Sequence, residues 1–425
     1  MTDLFRLLGG ILFLTVAALS LVPASAPVMW GASIAATEWG YWLAIAALLP
    51  LIPSRSRARI GKIGALCSVG AIGLFIFPVA KAKEVNDVLP STFDAQFGTA
   101  RRAHTRFSEA PRPSPLVFPD LIKPLNLPPV RYEQRTFGAY EGQELTLDIY
   151  RPAYVHGPLP AVIVVHGGNW QTGNNTEFVA LNAYLAGRDY VVAAINYRLA
   201  PRWPFPAGRD DVLSAVAYLK VYGPQIGVDT NQITLLGRSS GGQLALLAGY
   251  TAMDRSIRGV ISIYGPSDLT FEYQHPAPKN LLDTRGVLEG YLGGSPTRVE
   301  DAYFSASPVN FVTAASPPTL IIHGMRDSTV WVEESARLDE RLREANVKHL
   351  FVQLPWATHG CDKSFGGPCG QIVNYAVERF LDGVTTAPAT QPPDRTAAKA
   401  KKVGARRAKL SARPRPQSAR GQHIS

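Results

Sequence analysis

Hydrophobic positions fall into two regimes along this chain. In the first 80 residues they form three long runs, at about 4–22, 30–52 and 60–80. Each is long enough to cross a hydrocarbon core of roughly 30 Å as a helix, so the pattern predicts three transmembrane helices. Trp39, Tyr41 and Trp42 suit an interfacial aromatic belt, and Glu38 should lie near an interface. Over 81–129 the periodicity fades and prolines accumulate, which reads as a linker or lid.

From about residue 130 the pattern changes. Residues 134–137 and 144–150 flank Tyr140-Glu141-Gly142, as in an antiparallel pair. The runs 161–165, 191–196, 233–236, 260–264, 319–322 and 350–354 are apolar throughout, as expected of strands buried on both faces. Helix-like stretches near 177–187, 210–222, 243–250, 333–345 and 372–381 fall between them. This alternation over 130–384 predicts a doubly wound, mostly parallel eight-stranded sheet. Residues 269–316 interrupt it and form a candidate cap between the sixth and seventh strands.

Charge adds little to the folded part. The 425-residue chain carries +10, but beyond residue 385 ten Lys/Arg face one Asp. That tail, 385–425, has almost no large apolar residue and is expected to be disordered. A solvated tail is favoured over contact with anionic headgroups or cell-wall polymer, and no nucleic-acid partner is expected. Three cysteines exclude a disulfide-dense scaffold and form no metal-ligand cluster. Arg55, Arg57, Arg59 and Lys62 are the densest positive cluster near a membrane end. By the positive-inside rule their loop is cytoplasmic, so the multi-pass chain places everything after residue 80 on the extracytoplasmic side. Ala24-Ser25-Ala26 also resembles a signal-peptidase site; cleavage there would leave two helices and the same sidedness.

The chemistry gathers at predicted strand ends. Gly237-Arg238-Ser239-Ser240-Gly241 lies between an apolar run and a helix-forming stretch. A strand, a sharp turn and a helix with serine at the apex make a nucleophile elbow, although a plain Gly-rich turn has the same pattern. Serine needs a base, the base needs an acid, and the oxyanion needs donors. His359 follows the last strand and supplies the base. Asp327, after the seventh, supplies the acid, with Asp268 after the sixth as its rival. His166-Gly167-Gly168-Asn169-Trp170 follows the third strand, and its glycines free backbone N–H groups for a ligand. Cys361 and Cys369 could close a loop beside His359 or remain two thiols. Cys67 reads as a small apolar residue of the third membrane helix.

Several pieces in order resemble a known family. They are the elbow, the 166–170 motif, Asn196-Tyr197-Arg198-Leu199-Ala200-Pro201, residues 204–210, Ser307-Pro308-Val309, and residues 317–324 leading to Asp327. Residues 130–382 are similar to α/β-hydrolases of the hormone-sensitive-lipase-like and BD-FAE-like esterase group. The resemblance implies Ser239 as nucleophile, His359 as base then acid, and Asp327 as its orienter. It implies an oxyanion hole from Ser240 with Gly168 or Asn169. Trp170 and Trp331, with Trp356 and Phe365, are pocket candidates by their nearness to these positions. The chain departs from the group where Asn169-Trp170 replaces a third glycine, a form closer to the feruloyl-esterase-like and kynurenine-formamidase-like branch. It departs also where Arg238 replaces an acid or histidine, and where Val330-Trp331 replaces Val-Pro.

The expected function is a membrane-anchored carboxylesterase acting on a small ester or lipid, with no metal or organic cofactor required. An arylformamidase or another acyl hydrolase on the same triad is the alternative. A silent binding protein on a hydrolase fold is the alternative of a different class.

Overall fold

A computed structural model describes residues 2–52, 59–99, 109–123, 126–154 and 157–385. The arginines at 55 and 57 and the tail from 386 lie outside the described residues. The N-terminal helices are α1 (Thr2–Ala18), α2 (Pro27–Glu38), α3 (Gly40–Ala46) and α4 (Arg59–Phe97). The remainder alternates as β1 (Val130–Tyr140), β2 (Gln143–Pro152), β3 (Leu159–Val165), α5 (Val179–Ala186), β4 (Val191–Ile195), α6 (Ala207–Tyr222), β5 (Val228–Arg238), α7 (Ser240–Thr251) and β6 (Ile257–Ile263). Then come α8 (Leu269–Gln274), α9 (Thr284–Leu292), α10 (Glu300–Ala306), β7 (Thr319–Gly324), α11 (Val332–Glu344), β8 (His349–Leu354) and α12 (Pro368–Thr385).

The eight strands form one sheet in the order β1-β2-β4-β3-β5-β6-β7-β8. β1 and β2 pair antiparallel, as do β2 and β4, while β3 to β8 run parallel. Each parallel strand needs a crossover, so helices cover both faces and the strands are apolar throughout. α6, α7, α11 and the cap helices α8–α10 pack on one face. α5, α12 and the second half of α4 pack on the other. β5 lies in the middle with its C-terminal end between β3 and β6.

The N-terminal region differs from the three predicted spans. α1 has 17 residues, about 25 Å, and the chain then turns through Leu19–Leu21. That is short of the roughly 30 Å hydrocarbon thickness. The second run is broken, with helices on either side of Trp39 bent by 82°. Only α4 among the described residues is long and apolar enough to cross a membrane, or two elements if the bent pair counts as one span. Hydropathy counted residues without registering the break. At the bend Gly40 comes so close to α4 that an added Cβ would lie 2.6 Å from the Phe75 carbonyl oxygen. α1 crosses α4 at similar contact, with an added Cβ on Gly10 only 2.1 Å from the Gly64 oxygen. α4 itself extends through residues 81–97, where Leu89, Phe93 and Phe97 are buried against the core beside the sheet.

The bend also lets the N-terminal segment dock on the loops at the C-terminal end of the sheet. The Trp30 indole N–H donates to the His359 carbonyl at 2.8 Å, and the Ser328 hydroxyl donates to the Ala24 carbonyl at 2.8 Å. Glu38 is fully buried, accepting from the Cys369 N–H at 2.8 Å and the Trp356 indole N–H at 3.3 Å. Replacing it by alanine orphans two buried donors, each costing about 1–3 kcal/mol. Glu38→Ala should therefore lower stability by about 2–6 kcal/mol, and Glu38→Gln, which keeps an acceptor, by less. Chemical denaturation of the full chain in detergent checks both; equal midpoints for wild type and Glu38→Ala would refute the brace.

Candidate active site

The elbow follows from close packing. An added Cβ on Gly237 would lie 2.0 Å from the Gly241 oxygen, and one on Gly241 2.3 Å from the His166 oxygen. Nothing larger than glycine fits either position. Between them Ser239 takes φ 52° and ψ −127°, a strained combination for a residue with a Cβ, held by its surroundings. Its N–H is tied to the Ile263 carbonyl at 3.0 Å.

The structure brings Ser239, His359 and Asp327 together from the ends of β5, β8 and β7. His359 Nε2 lies 3.0 Å from Ser239 Oγ, and Nδ1 lies 2.6 Å from Asp327 Oδ2. A carboxylate accepts only, so Nδ1 carries the proton and Nε2 is free to take one from the serine. The other Asp327 oxygen accepts from the N–H groups of Thr329 and Val330 at 2.8 and 3.0 Å. Burial alone would raise this carboxyl, but the His359 charge and hydrogen bonds from His323 and His359 outweigh it and hold it well below its ordinary value. Asp268 is elsewhere: it caps α8 through Thr270 and Phe271 N–H and pairs with Arg337.

Residues 168–170 all have positive φ, at 112°, 55° and 58°. The Gly168 carbonyl turns back to the N–H groups of Gln171 and Thr172. Gly168 and Asn169 line the space beside Ser239, and successive backbone N–H groups in a turn can form a concave nest that binds anions. Ser240 begins α7, where first-turn N–H groups lack helical partners. The chain can thus supply donors from two sides to one oxygen. Trp170 donates to Gln243 at 2.8 Å and stacks on Tyr291 at 4.5 Å. It forms a wall beside Ser239. Trp331 only precedes α11 and is half-buried outside the cavities at Ser239, whereas its neighbour Val330 lines one. Trp356 is core, and Phe365 packs on Tyr184 away from Ser239. Cys361 and Cys369 are bonded.

Two spaces meet at the serine. One is a recess of about 10 Å³ walled by Trp170, Val287, Leu288, Val330 and Glu272. The other is a cavity of about 300 Å³ that includes His359, Trp30, Phe178, Glu177 and Lys363. Sequence reasoning missed Trp30, which is far away in the chain, and gave no role to His323, which falls just after the 319–322 strand in the segment leading to Asp327. His323 Nε2 donates to the Val330 carbonyl at 3.0 Å and lies 3.3 Å from Asp327. It missed Tyr264 too, whose ring packs on His359 at 4.5 Å. His166 is not a ligand group: burial pulls its imidazole down to about 4, and it stacks on Tyr197.

Glu272, in the recess wall, and Glu334 are buried carboxyls that face one another. Burial, then the charges of Glu334 and Asp327, raise Glu272 well above its ordinary value, and burial raises Glu334 to about 8. The folded protein thus keeps a proton that an unfolded carboxyl loses near pH 4.5. Stability should fall as pH rises from there through about 8, because the folded state binds more protons. Glu272→Gln, which mimics the protonated form, should show a flatter decline between pH 6 and 9 in denaturant midpoints. An identical slope would show that this pair holds no proton.

The BD-FAE family matches residues 147–342. Over 243 residues the chain is 32% identical to Esterase LipC of Mycobacterium tuberculosis, covering 53% of this chain and 59% of that protein. It is 30% identical over 263 residues to the Probable carboxylic ester hydrolase LipM of the same organism, covering 58% and 59%. The chain therefore spans about six tenths of the length of these relatives. The esterase of Pyrobaculum calidifontis superimposes with a TM-score of 0.53 at 22% identity, covering 72% of this chain and 94% of that one. With its eight-stranded mixed sheet and strand-end serine, the chain has the α/β-hydrolase fold, and its residues 147–342 are similar to the BD-FAE family.

Proposed function

We propose that this protein is a serine carboxylesterase that works through an acyl-enzyme. The observation that carries the reading is the Ser239–His359–Asp327 chain, with 3.0 and 2.6 Å separations, in a cavity beside two sets of backbone donors. Its likeness to proteins named as esterases supports it. Ser239 Oγ attacks the ester carbonyl while its proton passes to His359 Nε2. The N–H groups of Ser240 and of Gly168 or Asn169 take the developing oxyanion. The proton then goes from Nε2 to the departing alkoxide, and water repeats the cycle on the acyl-enzyme.

The two spaces divide the substrate. His359 protonates the leaving alcohol, so the alcohol occupies the cavity that includes His359. The acyl group enters the recess, whose volume is near the lower limit for one water. The substrate is thus a short-acyl ester of a larger alcohol. The exposed apolar residues of α1 and of the first half of α4, among them Leu8, Ile11, Ile63 and Leu66, support membrane anchoring. The bonded Cys361 and Cys369 support a catalytic domain outside the cytoplasm, since disulfides persist in oxidising compartments.

Ser239→Ala should abolish hydrolysis of p-nitrophenyl acetate and labelling by a fluorophosphonate. Asp327→Asn should lower kcat by about 10⁴, through the wrong imidazole tautomer. Acetyl esters should exceed hexanoyl esters in kcat/KM, and near-wild-type turnover by Ser239→Ala would sink the assignment. Running formanilides beside the esters tests the amidase alternative. In membranes from expressing cells, the chain should resist carbonate extraction and release with detergent. A reporter after residue 384 that is active only in the cytoplasm would refute the exported topology.

A further inference from the structure

Arg238, directly before the nucleophile, is 2% exposed and lines the cavity at Ser239. Its guanidinium covers the Phe178 ring at 3.6 Å, and its Nε donates to Asp362 Oδ2. Asp362 is three residues after His359 on the same loop. Its other oxygen accepts from the Tyr264 hydroxyl, and the Tyr264 ring packs on the His359 imidazole. The phenol is held in its neutral, donating form: burial and then the Asp362 charge push it well above its ordinary value. The disulfide from Cys361 and the Trp30 bond to the His359 carbonyl hold the same loop.

We propose that Arg238, Asp362 and Tyr264 are positioning residues that tie the nucleophile elbow to the base-bearing loop and hold the imidazole against Ser239. This rests on the reading of Ser239 and His359 as an acyl-transfer pair. The cation at position 238 has a physical reason here. Asp362 is joined to the imidazole through Tyr264, and an unpaired carboxylate there would stabilise the imidazolium and keep the ring protonated, unable to take the serine proton, to higher pH. Arg238 cancels that charge while anchoring the loop. The pair works as a unit: either charge alone biases His359, in opposite directions, and both together leave it to Asp327. The other groups facing this region are Asp327 below the ring, Glu177 and Lys363 on the cavity wall, and Glu38 of α2 near Asp362. They are the same in every variant, so differences isolate the pair.

The test uses the full chain in detergent as wild type, Arg238→Met, Arg238→Lys, Asp362→Asn, Tyr264→Phe and the double variant Arg238→Met/Asp362→Asn. Two readouts are followed against pH. One is kcat and KM for p-nitrophenyl acetate. The other is the carbethoxylation rate at His359, read by peptide mass spectrometry, which needs no turnover. Arg238→Met should move the acid limb of kcat/KM and the carbethoxylation midpoint up by about 0.5–1 pH unit, and Asp362→Asn should move both down by a similar amount. The double variant should return close to wild type. Arg238→Lys, which keeps the charge, should keep the wild-type limb. Tyr264→Phe should lower kcat with little change in KM.

Shifts in the same direction, or none, would overturn the proposal. A raised KM with unchanged kcat in Arg238→Met would do so too, making Arg238 a substrate contact. If Arg238→Met does not fold, Asp362→Asn and the double variant still decide it by the sign and its reversal. If wild type hydrolyses no ester and takes no fluorophosphonate, the esterase reading falls. The opposite shifts in carbethoxylation would then stand or fail on their own.

Discussion

The site depends on a backbone crossing that has no room for side chains. Gly237 and Gly241 meet carbonyl oxygens at distances no Cβ could share, and this forces the chain to turn sharply at Ser239. The turn lies at the end of β5, flanked by β3 and β6. Those neighbours carry the 166–170 motif and Tyr264 to either side of the serine. β7 and β8 follow in order across the sheet, so Asp327 and His359 arrive from strands further along the same edge. A ligand at the C-terminal edge of a parallel sheet therefore meets groups from five strands. The sheet order, more than any one loop, assembles them.

Charge is the second constraint. Several ionisable groups around Ser239 are almost fully buried, and a buried charge without a partner is costly. Asp327 is met by two imidazoles and two N–H groups. Arg238 is met by Asp362 and an aromatic face. Glu272 and Glu334 instead face one another, and burial raises both carboxyls toward their protonated forms. One site thus holds a carboxylate kept ionised and a carboxyl pair kept protonated. Both receive backbone amides; the difference is that two histidines face the first, whereas the carboxyls of the second face one another.

What was legible in the chain follows the range of the interactions. The parallel strands could be read because burial on both faces leaves continuous apolar runs such as 161–165. Ser239, His359 and Asp327 could be read because each follows such a run in a set order. Asp268 also follows such a run, as the weaker rival to Asp327, and the structure places it as a helix cap bonded to Thr270 and Phe271. Tyr264, His323 and Asp362 were illegible for a different reason. Each acts through a neighbour distant in sequence, and nothing in its local pattern distinguishes it from a core or loop residue. Trp331 shows the reverse error: nearness in sequence to Asp327 suggested a pocket wall, but the chain had already turned into α11.

The N-terminal region makes the same point at a larger scale. A hydropathy window reads residues 30–52 as one span because it averages over Glu38 and the break at Trp39. In the folded chain Glu38 is not an interfacial charge. It is buried between Trp356 and the Cys369 N–H, next to the loop that bears His359. Trp30, one of the apolar residues that suggested a membrane helix, is bonded to the His359 carbonyl and lines the cavity at Ser239. An apolar segment that spends its polar groups on a catalytic loop has a role that lipid alone could not give it. α4 joins the two regions as one continuous helix, apolar and outward-facing at its start and packed into the core at its end. The cavity at Ser239 therefore has part of its wall from a segment directly connected to the apolar platform. Whatever orients that platform also orients the mouth of the site.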